Sequence, residues 1–310
     1  MRGIIDAIGR VLITVGLLIL LFVVYQLWGT GILQARSQDA LGEQFDRQVK
    51  EHNAGTTTTT LDPTAPTVPV PTAVPATIPP SNLPDTGQVV ADLEIPKIGL
   101  NQYVIEGINV DDLRQGPGHY PSTPFPGQEG NVAIAGHRTT YGHPFGDLDQ
   151  LATGDEIKLT DTQQVTHVYK VTRDPFAVSP DDGNVLLPTD DQAFPGHKLA
   201  TLTLTTCNPK YSAAQRLIVT ATLELPPGVA PLPPTVRENA PVAIAGLKGD
   251  TSSRAPAILW GAIVLLVGLA WWWLFHRYPR WYVWFAGAIP FFVVLFVFYT
   301  YFERLLPSSY

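Results

Sequence analysis

The stretch Thr201-Leu-Thr-Leu-Thr-Thr-Cys207-Asn-Pro-Lys-Tyr-Ser-Ala-Ala-Gln-Arg216-Leu-Ile-Val-Thr220 decides how this chain is read. A β-branched alternating run over 201–206 leads to Cys207, the single cysteine. A loop with Asn208, Pro209 and Ser212 follows, and a second β-like run starts at Leu217 and continues to about Leu225. Strand, loop, strand is the plain reading. Paired antiparallel, the two strands put Cys207 at the close of the first and Arg216 at the opening of the second, at one end of a sheet. A cation beside a thiol favours the thiolate and can stabilise an oxyanion.

Working outward, the same strand signals recur. Asp92–Pro96 with Ile98–Leu100, and Tyr103–Glu106, read as strands, the first with a proline at an edge or bend. Val110–Arg114 fits one helical turn and Phe145–Leu151 a short helix. Asn131-Val-Ala-Ile-Ala-Gly-His137 is an apolar run that delivers a histidine to a rim. Asp155–Leu159, Val165–Thr172, Leu199–Thr206 and Leu217–Leu225 complete the set, and 174–197 reads as a long loop. About eight short strands with few helices imply an all-β fold, a barrel or a sandwich.

The apolar residues lie largely at the two ends. Residues 11–28 carry no charge, and 257–275 and 281–302 are apolar nearly throughout. Each run has the length of a bilayer-spanning helix. Trp271, Trp272, Trp273, Trp281, Tyr282 and Trp284 sit where an aromatic belt belongs. Arg2 and Arg10 precede the first run, and His276, Arg277 and Arg280 fill the turn between the other two. The positive-inside rule therefore puts both places in the cytoplasm and residues 29–256 outside. No small-residue cleavage pattern follows Trp28, so the first run reads as a retained anchor.

The organisation expected is a cytoplasmic stub and anchor over 1–28, a juxtamembrane segment and stalk over 29–89, a folded domain over 90–226, a linker over 227–256, and two membrane helices with a tail over 257–310. Residues 29–55 are helix-permissive with few apolar positions. Residues 56–84 hold 9 Thr and 8 Pro, too little apolar surface for a core, so they read as an extended stalk.

Formal net charge is −7 with no basic patch, which argues against a nucleic-acid partner. A lone cysteine forms no internal disulfide, and composition leaves open whether it is a small buried hydrophobe or a reactive thiol. Thiol catalysis needs a proton manager and an oxyanion donor, and His137 and Arg216 are candidates. His119, His143, His167 and His197 lie in the same domain, and spacing alone does not choose among the five. No Cys-x-x-Cys or His-x-x-x-His pairing supports a metal site, and no cofactor is expected. Asp181, Asp182, Asp190 and Asp191 flank a loop, where solvated acidic turns are commoner than ion sites.

Leu204-Thr-Thr-Cys-Asn-Pro-Lys-Tyr-Ser-Ala-Ala-Gln-Arg216, with Asn131-Val-Ala-Ile-Ala-Gly-His-Arg138, resembles the sortases, the membrane-anchored cysteine transpeptidases of Gram-positive bacteria. The look is closest to the class E sortases of actinobacteria and covers roughly residues 90–226. The resemblance implies a closed eight-stranded β-barrel, with Cys207 as nucleophile, His137 as general acid and base, and Arg216 on the substrate carbonyl and oxyanion. It implies cleavage of a Leu-Pro-x-Thr-Gly or Leu-Ala-x-Thr-Gly signal between Thr and Gly through a thioester. The acyl group then passes to an amine on a peptidoglycan precursor or pilin. Partners would be surface proteins bearing a C-terminal sorting signal. Thr205, Thr206 and Tyr141 are candidates for the substrate groove on adjacency alone. Asn208 stands where such enzymes often have histidine, and the C-terminal membrane runs lie outside the minimal family plan.

Two rivals remain at this stage. An L,D-transpeptidase would carry His and Gly just before the cysteine, where this chain has Thr205 and Thr206. A membrane-tethered binding module would hold Cys207 inert. One further motif stands out: Leu83-Pro84-Asp85-Thr86-Gly87 matches the sorting signal inside the chain itself. It reads either as a tethered pseudosubstrate or as a coincidence in a Pro- and Thr-rich segment.

Overall fold

The computed structural model describes residues 2–55, 83–192, 196–226, 229–236, 251–278 and 280–305. The stalk and most of the linker expected from the sequence lie outside them. The chain divides into two units.

One unit is helical. It contains α1 (Arg2–Val24), a five-residue π turn at Tyr25–Gly29, and, from the far end of the chain, a helical pair described below. The other unit starts with α2 (Thr30–Gly55). It continues with β1 (Val89–Ile95), β2 (Leu100–Glu106), α3 (Val110–Leu113), β3 (Gly118–His119), β4 (Gly130–Ala135), β5 (Glu156–Asp161), β6 (Thr166–Val171), β7 (Phe176–Val178), β8 (Ala200–Asn208) and β9 (Gln215–Leu223). The helical pair is α4 (Arg254–Arg277) and α5 (Trp281–Leu305).

Three helical stretches, Leu12–Ala54, Arg254–Arg277 and Trp284–Leu305, are long and apolar enough to cross a membrane. Leu12, Ile13, Ile258, Leu265 and Ile289 are exposed along them. Within the helical unit Tyr25 packs with Leu295 and Tyr299, and the Tyr299 hydroxyl donates to Leu18 O at 2.7 Å.

The strands form a closed barrel. Their order is β6-β5-β1-β2-β3-β4-β8-β9, and β6 pairs with β9 to close the ring of eight. β7 is an added strand on β9, beside Arg216–Ile218. Closure removes the free edges an open sheet would present. Alternation fills the interior: Leu93 and Ile95, Val132 and Ile134, Ile157 and Leu159, Tyr169 and Val171, Leu202 and Leu204, and Val219 and Ala221 form one cluster. A second cluster unites Ala133 and Ala135 of β4 with Tyr120, Ile108, Leu113 and Leu186.

Four expectations change. Residues 29–55 hold more than a helical extension: Leu41, Phe45 and Val49, one face at i, i+4, i+8, pack on Val89 and Ile105 of the barrel. The loop over 174–197 contains β7 and a 3₁₀ turn at Gly183–Leu186. The helix expected over 145–151 is only a 3₁₀ turn at Leu148–Gln150, since the segment is short and begins with Phe145 buried under Gly136. Part of the presumed linker is bound to the barrel. Leu232 bridges Gln128, and Gln128 Nε2 donates to Thr235 Oγ1 at 2.9 Å.

α2 also completes the barrel wall. β3 meets β2 only at Ile105 and Glu106, so the upper part of β2 has no strand on that side. Gln38 substitutes for one. Tyr103 N donates to its Oε1 at 2.7 Å, and its Nε2 donates to Tyr103 O at 3.1 Å and Gln115 O at 2.9 Å. A side-chain amide here mimics a peptide group, which keeps these partly buried backbone groups paired.

Candidate active site

Strand register assembles the site. β8 and β9 are antiparallel, and Cys207 and Arg216 occupy directly opposed positions. β4 and β8 are parallel, with Ala135 opposite Thr205. His137 and Cys207 each follow that pair by two residues, so three strand ends carry the three side chains to one rim. Because side chains alternate, Cys207 shares a face with Thr203 and Thr205, opposite the core-facing Leu202 and Leu204. Cys207, His137 and Arg216 are all buried, at 6%, 7% and 8% exposure.

The chain leaves β4 through Gly136, whose N donates to Thr205 O at 3.1 Å. A Cβ at Gly136 would lie 2.7 Å from the Phe145 ring, so glycine is needed for the close approach. Phe145 N donates to His137 O at 3.0 Å and fixes the histidine's backbone. Thr140 Oγ1 lies 3.4 Å from His137 Nδ1, and the Tyr141 ring sits 5.1 Å from the imidazole. Tyr141 has φ +50, and the Arg114 guanidinium lies over its ring at 5.5 Å.

The remaining histidines of the barrel are engaged elsewhere. His119 Nδ1 lies 2.7 Å from Glu106, His167 Nε2 lies 3.0 Å from Asp161, and His197 Nδ1 lies 2.8 Å from Glu129. His143 is exposed. His137 alone of the five stands at the strand end beside Cys207.

Burial pulls His137 down to about 4, with Arg114 adding to the shift, so its imidazole is neutral near pH 7. Burial pushes the Cys207 thiol up, partly offset by Arg216 and Arg138. At rest the two groups are thus a thiol and a neutral imidazole. Arg216 Nη1 donates to Ala213 O at 3.3 Å and Gln215 O at 3.1 Å. Its buried Nε has no hydrogen-bond partner among the described residues, leaving a donor for an incoming acceptor.

The weaker candidates divide. Thr205 shares the thiol's face, where its hydroxyl meets Tyr120 Oη at 3.0 Å. Thr206 is turned to the opposite face and donates to Gly136 O at 2.8 Å. Tyr141 packs on His137. Sequence reasoning missed Arg138, Tyr120 and Arg114. Arg138 was signalled only by its place next to His137.

Leu83–Gly87 stands apart from these side chains. Leu83 packs on the barrel core, and Gly87 N donates to Glu106 O at 2.7 Å. Through β3 and β4, Ile105 lies level with Thr205, and β2 runs antiparallel to β8. Glu106 and the chain paired with it therefore recede from Cys207. Of the acidic loop residues, Asp190 pairs with Lys198, and Asp182 Oδ1 accepts from Asn184 N at 3.1 Å. No cluster of three His, Cys, Asp or Glu able to hold a metal occurs among the described residues.

Residues 93–224 match the family model described as a sortase domain. Sortase SrtE1 of Streptomyces coelicolor is 33% identical over 69% of this chain and 55% of its own length. Sortase D of Bacillus subtilis is 32% identical over 41% of this chain and 58% of its own. The chain thus spans little more than half the length of either relative. Among solved structures, sortase E of Streptomyces avermitilis is 39% identical over 46% of this chain and 91% of that one, with a TM-score of 0.41.

Proposed function

The chain belongs to the sortase family, and on that premise we propose that it is a cell-surface cysteine transpeptidase. Cys207 attacks the carbonyl of the threonine in a Leu-Pro-x-Thr-Gly or Leu-Ala-x-Thr-Gly signal. His137 accepts the thiol proton and then protonates the departing glycine amine. Arg216 donates to the carbonyl oxygen as negative charge develops on it. An amine on a peptidoglycan precursor or a pilin attacks the thioester, His137 takes its proton, and Cys207 leaves. The substrate is a surface protein bearing a C-terminal sorting signal. The catalytic unit works outside a membrane crossed by the N-terminal helix and the C-terminal pair, in accord with Arg2, Arg10, Arg277 and Arg280 on the cytoplasmic side.

The observation that carries this reading is the register pairing Cys207 with Arg216, with His137 on the neighbouring strand end. The test is incubation of the full chain in detergent with peptides of both signal types and triglycine, followed by mass spectrometry. Expected is cleavage between Thr and Gly with triglycine joined to Thr, absent in Cys207→Ala. A wild-type chain that leaves both peptides intact while Cys207 resists alkylation would instead support an inert buried cysteine.

A further inference from the structure

The side chain next in sequence to His137 reaches the backbone of Cys207. Arg138 is buried, at 6% exposure. Its Nη1 donates to Cys207 O at 3.1 Å and to Asn208 Oδ1 at 2.6 Å, and its Nη2 pairs with Asp149 Oδ1 at 3.2 Å. Two groups at the end of β8 and one in the 3₁₀ turn at Leu148–Gln150 are thus tied to one guanidinium.

The register shows what the first contact replaces. In the parallel β4–β8 ladder, Gly136 N donates to Thr205 O. Two residues further on, the next rung would run from the backbone N–H of residue 138 to the carbonyl of Cys207. The chain has already turned away from β4 at Gly136 to present His137. The Arg138 side chain supplies the donor to that carbonyl instead. The last rung of the ladder is therefore built from a side chain, on the carbonyl of the cysteine itself.

We propose that Arg138 is a positioning residue that fixes the end of β8, and with it the Cys207 thiol, relative to His137. Its backbone is one peptide bond from the imidazole, and its side chain holds the carbonyl of the cysteine. Drift of one partner against the other is opposed by the same residue. The planar fork suits this work: one edge takes Cys207 and Asn208 while Nη2 meets Asp149 in the 3₁₀ turn at Leu148–Gln150. That turn is tied a second time to the loop after Cys207, since Lys210 Nζ lies 3.2 Å from Asp147 Oδ1. The guanidinium also acts with Arg216 to draw the thiol's proton affinity down against burial.

The proposal rests on Cys207 being the nucleophile. Its test therefore reads both transfer and the thiol itself. The full chain in detergent is compared as wild type, Arg138→Lys, Arg138→Gln and Asp149→Asn. Readouts are kcat and KM for peptide transfer and the pH midpoint of Cys207 alkylation by iodoacetamide. Arg138→Lys keeps the charge, but one ammonium cannot serve three partners at these positions. A displacement near 1 Å should lower kcat about 100-fold with KM changed less than about threefold. Arg138→Gln should lose kcat likewise and move the alkylation midpoint to higher pH, while Arg138→Lys leaves the midpoint in place. Asp149→Asn frees the outer edge of the fork from a half-exposed partner and should cost about tenfold in kcat.

Wild-type kcat in both Arg138→Lys and Asp149→Asn overturns the assignment, including where Arg138→Gln does not fold. Loss of kcat only in proportion to the unfolded fraction, with an unmoved midpoint in Arg138→Gln, overturns it too. A wild-type chain that transfers no peptide defeats the transpeptidase reading alone, because the alkylation midpoints still report on Arg138.

Discussion

Cys207 and Arg216 face each other directly across the β8–β9 ladder, nine residues apart in sequence and joined by the loop at 209–214. Paired positions hold their side chains on one face of the sheet, with Cβ atoms close together. The guanidinium is therefore built in beside the thiol by strand register, without help from a flexible loop.

From that pairing, Arg216→Lys should lower kcat about 100- to 1,000-fold, the usual cost of losing one oxyanion donor. Lysine brings a point charge but not the fork that satisfies Ala213 O and Gln215 O while leaving Nε free. Cys207→Ala should abolish transfer with the barrel still folded. Single-turnover peptide cleavage measures both, and near-wild-type turnover in Arg216→Lys removes the oxyanion role.

His137 gives a stability signature with a defined sign. Its folded value of about 4 lies below the ordinary 6.5, so folding favours the neutral ring. The contribution is fully present above about pH 6.5 and is lost as pH falls through about 4. The shift corresponds to roughly 3 kcal/mol. Urea-dependent proteolysis between pH 7 and pH 4 should show wild type losing more stability than His137→Gln, which cannot titrate there. Parallel curves for the two would place His137 in water.

Much of this was legible because a period of two is hard to mimic. The alternation in 201–206 and the β-like run over 217–225 mark both strands and put Cys207 and Arg216 at one end. His137 was another matter: five histidines competed, and the residues alone could not exclude His119 or His167. Their carboxylate partners, Glu106 and Asp161, appear only once the chain is folded. Arg138 was illegible for a related reason, because a side chain standing in for a ladder rung has no sequence period. β7 is three residues, two half-buried about an exposed one, too short to show a pattern.

The α2 helix was the largest gap, and it carries its own prediction. Leu41, Phe45 and Val49 are a thin stripe among glutamines and charges, yet each is buried. Phe45→Ala should destabilise the barrel by about 3 kcal/mol or more. Gln38→Ala should cost about 1–3 kcal/mol by stranding the Tyr103 amide. Urea-dependent proteolysis of the barrel measures each, and values near zero would mean that α2 is not part of the folded unit.

Topology is tested with single cysteines in a Cys207→Ala background. Arg47→Cys should react with a membrane-impermeant maleimide on intact cells, and Arg277→Cys should react only after permeabilisation. The reverse pattern would defeat the orientation drawn from the basic residues.

The last prediction concerns Leu83-Pro84-Asp85-Thr86-Gly87. A tethered signal has a high effective concentration, so a motif able to reach the thiol would be cut or would inhibit even with weak affinity. Here the segment is the folded entry to β1. Leu83 is packed on the core, Asp85 O accepts from Gln88 N at 2.9 Å, and Gly87 is hydrogen-bonded to Glu106 on a strand that runs away from Cys207. Reaching the thiol requires stripping these contacts and the first pairing of β1, and their loss opposes the gain from tethering. Thr86→Ala should therefore change neither chain length nor transfer rate, and deletion of 83–87 should lower barrel stability without speeding transfer. N-terminal mapping of wild type beside Cys207→Ala decides the point: a new N-terminus at Gly87 in wild type alone would show that the segment leaves β1 and is processed.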